Sequence, residues 1–271
     1  LVFEAGVELD FIKGAGFISY SPVEMNGTEE NPIRITSSDG TASGFTVLAP
    51  KQKSTMSHVV FSKMNTMNKN NWILTGAVTF YEAEIKIEYC TFEDNNCEDG
   101  LNLIRCNFEM SNSTVSGALS DGFDADFCTG TLTSSTFKNT GNDCIDFSGS
   151  KVKITDCIIV NAGDKGISGG EGSDLEISNC SVNGAYIGVA SKDLSIVLVS
   201  NLTLVNCEYG FAAYRKKPEY GPAEIKVSSM KKNQSKHLHL LEKGSKLIYL
   251  EKEYVGTRKF DIDAMYMAYA K

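Results

Sequence analysis

Carboxylate side chains recur at a fixed spacing in the middle of the chain. Asp99, Asp121 and Asp143 follow one another at intervals of 22 residues, and Asp124 and Asp146 repeat that interval three positions further on. Carboxylates brought close together can act as a general acid and a general base, because each raises the pKa of its neighbour. They can also bind a hard cation through oxygen. Both kinds of chemistry require an element that stacks residues 22 positions apart.

An apolar pattern of the same period predicts that element. Each glycine of a 22-residue series, in which Cys144 fills one slot, precedes a bulky apolar residue, and a second apolar column runs in step. The glycines are Gly100, Gly122, Gly166, Gly188 and Gly210; the residues after the slots are Leu101, Phe123, Ile145, Ile167, Val189 and Phe211; the second column is Phe92, Val115, Phe137, Ile159, Val182 and Leu204. A repeat this short cannot bury its own apolar face, so neighbouring repeats must stack. Residues 152–160 and 175–182 alternate as strands do. The pattern predicts an all-β protein, a parallel β-helix with about three short strands in each coil of roughly 22 residues.

The repeat also predicts how the chain is organised. We expect one β-helix domain over residues 1–271, with irregular first coils and an amino-terminal cap in 1–80, regular coils in 81–227 and a carboxy-terminal cap in 228–271. Capped ends protect the exposed strand edges of a solenoid. Within the last cap, residues 238–250 are predicted to form a hairpin that turns at Lys243 and Gly244, and the spacing from Phe260 onward predicts a short helix.

Composition excludes several classes of function. A net charge of −8 argues against nucleic acid as the main partner, since phosphate binding needs a basic surface. No apolar run approaches the roughly 20 residues of a membrane span. The chain does not begin with Met and has no signal-peptide pattern, which we interpret as a trimmed mature segment. The sequence does not indicate an oligomeric state.

Small side chains also recur with the coil period. Cys106 and Cys128 share one column, and Cys157 and Cys180 share another, without any CxxC motif. Stacked free thiols are the favoured interpretation, with disulfides between coils as the alternative in an oxidising compartment. A third column, Asn139, Asn161 and Asn183, predicts a structural ladder of stacked asparagines at a turn.

The apolar column fixes the orientation of the carboxylates. Since the bulky residue after each glycine must face inward, strand alternation turns Asp124 and Asp146 outward. Glu98, Asp126 and Asp164 join the same face. Two carboxylates on strands about 4.8 Å apart repel by about 3.5 kcal/mol at an effective dielectric near 20. Such a face either raises pKa values or recruits a cation, unless it is simply a solvated acidic surface.

Four strings on successive coils resemble the active-site motifs of the polygalacturonases, in the pectin-lyase-like right-handed β-helix superfamily. They are LSDGFD (119–124), GNDCIDF (141–147), GDKGIS (163–168) and GVASK (188–192). The resemblance implies a right-handed β-helix that acts on a polysaccharide outside the cell, either secreted or at the cell surface. It also implies that Asp121 and Asp143 activate water and that Lys192 corresponds to a motif lysine.

This chain departs from the family pattern at three positions. Asn142 stands where the family has its general acid, Lys165 replaces the motif histidine, and Ala190 replaces the motif arginine. The string GTEENPIRITSSDG (27–40) is similar to β-helix modules of bacterial cell-surface proteins. Three hypotheses therefore stand: a hydrolase or lyase of acidic polysaccharides, a non-catalytic carbohydrate-binding module, and a structural module.

The enzyme hypothesis assigns roles to a defined set of residues. The catalytic candidates are Asp121, Asp143, Asp124, Asp146, Lys165 and Lys192. Asp121, Asp143 and Asp146 are the candidate ligands of a Ca²⁺ ion that would neutralise a uronate. The candidates for substrate binding are Asp99, Asp126, Tyr186 and Tyr214, with the tyrosines extending a groove beyond the acidic coils.

Overall fold

The computed structural model describes residues 1–69 and 71–261, which form an all-β solenoid of parallel strands. Its coils have three faces. Face 1 consists of Phe17–Ser19, Phe45–Leu48, Gly76–Tyr81, Asp99–Ile104, Asp121–Asp126, Ile145–Ser148, Lys165–Gly170, the second halves of Ser181–Lys192 and Leu202–Tyr214, and His237–Leu241. Face 2 consists of Val2–Glu4, Glu24–Asn26, Ser54–Ser57, Glu84–Glu88, Asn107–Ser111, Thr129–Thr133, Lys151–Thr155, Asp174–Ser178, Ile196–Ser200, Glu224–Val227, Lys246–Tyr249 and Lys252–Val255.

Face 3 and one small hairpin complete the coils. Face 3 consists of Glu8–Asp10, Ile33–Thr36, Val59–Ser62, Thr91–Glu93, Thr114–Ser116, Thr136–Thr140, Ile158–Ala162, the first halves of Ser181–Lys192 and Leu202–Tyr214, and Met230–Gln234. Met67–Lys69 and Trp72–Leu74 form a separate antiparallel pair. The predicted parallel β-helix is therefore confirmed. No helix occurs in the described ranges, so none there could span a membrane.

The register of face 1 follows the predicted apolar period. Phe123 pairs with Ile145, and Ile145 pairs with Ile167, each 22 residues apart. Both predicted apolar columns are buried at every position from Phe92 to Phe211. Phe123 and Phe137, one from each column, have ring centroids 6.2 Å apart. Burying one such side chain contributes about 1.5–3 kcal/mol, so the stacked columns hold the coils together.

The corners between faces use residues with positive φ. Asn139 and Asn161 both have left-handed backbone there, and Asn161 Nδ2 donates to Asn139 Oδ1 at 3.1 Å, which confirms this part of the predicted ladder. The next coil differs, because Gly184 takes the corner and Asn183 lies one position earlier. Asn206 then donates to Asn183 Oδ1 at 2.9 Å. A second asparagine pair therefore forms on these coils, and its donor, Asn206, is a residue that the 22-residue spacing does not predict.

Serine or cysteine occupies the positions just after the corners. All eight cysteines are buried free thiols, which confirms the favoured interpretation of the stacked pairs. The Cys106 N–H donates to Cys128 Sγ at 3.3 Å, and the Cys128 N–H donates to Ser150 Oγ at 2.8 Å. A small side chain at this place thus accepts the backbone amide of the preceding coil.

The carboxy-terminal coils correct one prediction. Residues 238–250 do not form a hairpin, because His237–Leu241 continues face 1 and Lys246–Tyr249 continues face 2, both in parallel pairing. Gly244, at φ +87°, is a corner between the faces. The antiparallel hairpin comes one strand later, where Lys246–Tyr249 pairs with Lys252–Val255. The predicted helix after Phe260 falls almost entirely on residues 262–271, outside the described residues.

Candidate functional site

The acidic residues lie on the outer side of face 1, on successive coils. Asn102, Asp124 and Asp146 are register partners, while Phe123 and Ile145 beside them point into the core. Asp124 and Asp146 are half-buried. Strand alternation therefore places these carboxylates as the sequence predicts, about 4.8 Å apart along the stack.

A second column of carboxylates lies at the amino-terminal edge of the same strands. The Asp143 N–H donates to Asp121 Oδ1 at 2.8 Å, and the Lys165 N–H donates to Asp143 Oδ1 at 3.0 Å. Asn142 Nδ2 also donates to Asp121 Oδ1, at 2.7 Å. Each carboxylate therefore accepts a backbone amide of the next coil, which fixes its orientation.

Lys165 carries its charge into the end of this column. Its ammonium lies 3.2 Å from Asp143 Oδ1 and also bonds Asp164 Oδ2, and its side chain is only 2% exposed. Two buried carboxylates around one ammonium favour the charged form of the lysine. The arrangement fits a structural ion cluster better than a lysine that must lose its proton to act as a base.

Lys192 supplies a second cation from two coils away. Its Nζ lies 3.2 Å from both oxygens of Asp146, although the two residues are 46 positions apart. The lysine stem passes over Gly170, where an added Cβ would lie 3.2 Å from Lys192 Cε. A larger residue at position 170 would crowd this path, so the glycine is a sequence signal for the contact that the spacing argument missed.

The pKa values of the acidic face are raised, chiefly by burial. Burial and the neighbouring charges raise the pKa of Asp99 to about 7 and that of Asp121 to about 8. The same causes hold the pKa of Asp124 well above its ordinary value and raise that of Asp126 to about 6. Burial raises the pKa of Asp143 to about 6, against the lowering effect of Lys165. These carboxyls thus have raised pKa values, and the cations that pair with Asp143 and Asp146 are the lysines Lys165 and Lys192.

The predicted Ca²⁺ ligands do not present a fitting donor set. Both oxygens of Asp143 and of Asp146 face a lysine ammonium, which would repel a dication. Asp121 Oδ1 already accepts two N–H groups. Among residues 1–69 and 71–261, no group of three His, Cys, Asp or Glu side chains is arranged to hold a metal. We therefore base no chemical step on Ca²⁺.

Several buried polar atoms beside the carboxylates have no hydrogen-bond partner within the described part of the chain. They include Asn102 Oδ1, Asp164 Oδ1 and Ser168 Oγ. Ser168 is the register partner of Asp146, and Asn102 is that of Asp124. An unsatisfied buried polar atom costs about 1–3 kcal/mol, so a ligand hydroxyl that bonds to such an atom would be stabilised.

The residues predicted to bind substrate fall into different environments. Asp126 is half-buried and Asp99 is buried. Tyr186 packs edge-on against Tyr209, with centroids 5.5 Å apart, and Tyr209 stacks on His237 at 5.1 Å. Register places Tyr209 in the column of Asp143 and Lys165, so this aromatic row continues the acidic row.

Tyr214 is a core residue of a second apolar cluster. It is fully buried with Ile187, Ala190 and Ala212, and its ring lies 6.5 Å from that of Phe260. The outward column of face 1 is therefore covered at these coils, where the sequence pattern predicted an exposed surface. Tyr214 consequently offers no free ring for stacking on a sugar.

Comparisons with known proteins agree with the architecture. The structure of a periplasmic alginate epimerase is similar, with a TM-score of 0.58, 11% identity, and coverage of 91% of this chain and 72% of that one. An alginate lyase from Paenibacillus sp. has a TM-score of 0.47 and 11% identity, with coverage of 88% of this chain and 89% of that one. The catalytic domain of a GH87 α-1,3-glucanase in complex with nigerose has a TM-score of 0.44 and 14% identity, with coverage of 89% of this chain and 61% of that one. No curated protein matches by sequence. A family model for the right-handed β-helix region matches residues 99–251, more than half of the chain, so the chain belongs to the right-handed β-helix family.

Proposed function

We propose that this chain is a carbohydrate-active enzyme that cleaves an acidic polysaccharide on face 1, with Asp124 as its general acid and Asp146 as its nucleophile. The observation that carries the proposal is the difference between these two register partners. Burial and the neighbouring carboxylates hold the pKa of Asp124 well above its ordinary value, which favours the protonated form of this carboxyl. Both oxygens of Asp146 lie 3.2 Å from the Lys192 ammonium, a counter-charge that would stabilise a negative charge on this residue. Two neighbouring carboxyls in such different surroundings are suited to two different catalytic roles.

The pair supplies the groups that glycoside hydrolysis needs. Asp124 donates its proton to the glycosidic oxygen as the bond to the leaving sugar breaks, and an Asp146 oxygen bonds to the anomeric carbon. Water then cleaves that bond and returns a proton to Asp124. Strands about 4.8 Å apart favour the short carboxyl separation of retaining glycosidases, about 5–5.5 Å, over the wider inverting arrangement.

Other candidates fit less well in the catalytic roles. A lyase with Lys165 or Lys192 as its base requires a neutral amine, whereas both ammoniums face carboxylates that favour the charged form. Asp143 is buried and engaged by Lys165, which suits a positioning role. We place Asp121 beside it as a second proton-holding carboxyl, oriented by Asn142.

The partner follows from the same proposal. A face that runs along several coils suits an extended polymer, and the Tyr186–Tyr209–His237 row offers rings on which sugars can stack. The similarity of the fold to that of a periplasmic alginate epimerase is compatible with a polysaccharide partner. We infer that the protein is secreted or lies at the cell surface, where such polymers occur, and that nucleic acid is not its partner.

The test is a panel of acidic and neutral polysaccharides, in Ca²⁺ and in chelator, that follows new reducing ends and the absorbance of unsaturated uronates. We expect reducing ends without unsaturation, the same in both buffers, with retention at the anomeric carbon. Asp124→Asn should lower turnover at least about 100-fold. The matched control, Asp174→Asn at an exposed position of face 2, should retain most activity. Unsaturated products, inversion, or an active Asp124→Asn enzyme would refute the assignment.

A non-catalytic binding module is the second candidate. Asp143, Asp164 and Lys165 form one buried ion cluster. This cluster favours the binding module, because holding the coils together is a sufficient role for it. This alternative predicts binding of a polysaccharide with no bond cleavage at any pH. Binding of a polysaccharide by the wild-type chain in calorimetry, with no new reducing ends and no unsaturated uronates, would establish this alternative.

A further inference from the structure

A cleft of opposite charge lies at the carboxy-terminal end of face 1. It has a volume of about 290 Å³ and is lined by Arg215, Pro222, Glu242, Lys243, Gly244 and Lys259. We call it the basic cleft, because three cationic residues and one carboxylate line it. The whole chain carries a net charge of −8, so the sign of this cleft is opposite to that of the chain as a whole.

Backbone hydrogen bonds fix the walls of the basic cleft. The buried Glu242 carboxylate accepts the Arg215 N–H at 2.7 Å, and the Glu242 N–H donates to Ala213 O at 3.0 Å. The Lys243 N–H donates to Arg258 O at 2.7 Å, which ties the segment before Lys259 to the same wall. The cationic side chains thus project from an ordered frame.

Register relates the basic cleft to the acidic site. Lys192 pairs with Tyr214, and the Ala213–Leu241 pair places Glu242 next in that column. Glu242 is therefore two strands beyond Lys192, or about 10 Å along the stack at about 4.8 Å per strand. By the same register, the cleft is four strands, about 19 Å, from Asp146. A polysaccharide of several sugar units spans this distance, and it passes beside the covered coils of Tyr214 and Phe260 to contact both.

We propose that the basic cleft binds a carboxylate or sulfate group on the polysaccharide, several sugar units away from the bond that is cleaved. Arg215 can hold such a group through paired N–H donors, while Lys243 and Lys259 add point charges. The inference rests on the proposed function for the polymer, but anion binding itself does not require catalysis. It also accounts for how a protein with an acidic catalytic face retains an anionic chain.

Calorimetry with oligogalacturonates of increasing length, a sulfated oligosaccharide and a neutral glucan oligosaccharide tests the inference. Short anionic fragments should bind the wild type and Arg215→Ala equally, if they occupy only the acidic end. Long anionic fragments should bind Arg215→Ala and Lys243→Ala about tenfold more weakly or worse, with a weaker salt dependence. Lys231→Ala removes an exposed lysine from face 3 and is the matched control.

The calorimetric affinities decide whether the basic cleft binds an anion. An affinity for long anionic fragments that is unchanged in Arg215→Ala and Lys243→Ala would overturn the inference, as would an equal loss for the neutral glucan. The relative loss for uronate and sulfate identifies the anion. If no substrate is cleaved but long fragments still lose affinity in both variants, the basic cleft stands and the catalytic proposal alone fails.

Discussion

Lys165 gives the sharpest test of how the acidic face is stabilised. The change Lys165→Met keeps an unbranched side chain but removes the ammonium that lies 3.2 Å from Asp143 Oδ1 and bonds Asp164. Both carboxylates are buried and would lose their counter-charge. Removing one partner of a buried ion pair costs about 3–5 kcal/mol, so we expect that loss in the free energy of unfolding at pH 8.

Acid should reduce this loss. Lys165 lowers the pKa of Asp143, which burial otherwise raises, and the value with the lysine present is about 6. Without Lys165 the Asp143 pKa rises further, so the carboxyl becomes neutral in mild acid. We therefore expect the loss in unfolding free energy at pH 5 to be smaller than at pH 8 by about 1–2 kcal/mol. The double variant Lys165→Met/Asp143→Asn should recover part of the loss at pH 8.

The measurement is urea unfolding at both pH values, followed by circular dichroism and by tyrosine fluorescence. Coincident curves are needed, because stacked coils can unfold in parts. Lys153→Met is the matched control: this lysine is 67% exposed and pairs with Glu176 at 3.2 Å on the surface, where a pair is worth about 1 kcal/mol or less. A Lys165→Met loss no larger than that of Lys153→Met would refute the buried cluster.

Three further predictions concern protons, backbone and thiols. The wild-type free energy of unfolding should fall from pH 4 to pH 8 because native Asp99, with a pKa of about 7, holds a proton that the unfolded chain releases near 3.8; Asp99→Asn should flatten this slope in urea titrations, and an unchanged slope would contradict it. Gly163→Ala should lower the thermal midpoint more than Gly40→Ala, since its Cβ would lie 2.0 Å from Gly141 O, whereas position 40 has open space and an alanine there meets only the backbone strain of φ +70°; equal shifts would contradict the close approach. A thiol reagent should find almost no reactive cysteine until the chain unfolds, because all eight are buried and burial raises the pKa of Cys144 to about 12.

The coil register could be predicted from sequence because it depends on a periodic, local property. An apolar residue 22 positions after Phe123 has only one buried place to go, and Ile145 occupies it. The outward direction of Asp124 follows from Phe123 beside it, by strand alternation alone. The Cys106 and Cys128 stack could be predicted for the same reason, since both positions repeat with the coil.

Contacts that cross coils at other intervals could not be predicted in this way. Lys192 reaches Asp146 over two coils, and the spacing argument considered only one coil at a time. Tyr214 is buried because Phe260 and the covering cluster pack over it, and a repeat pattern does not reveal what covers the end of a solenoid. Gly244 reads as a hairpin turn in sequence, but it is a coil corner because both flanking strands find parallel partners.

The lysines that pair with the acidic face are unevenly placed, so its two ends differ. On its first two coils, burial raises the pKa values of Asp99 and Asp121 to about 7 and 8. At its carboxy-terminal end, Lys165 and Lys192 hold Asp143 and Asp146. Carboxyls with raised pKa values therefore meet lysine-paired carboxyls between the strands of Asp124 and Asp146. A uniformly solvated acidic surface would have no such boundary, and this boundary is where a proton donor and a nucleophilic carboxylate can serve the same bond.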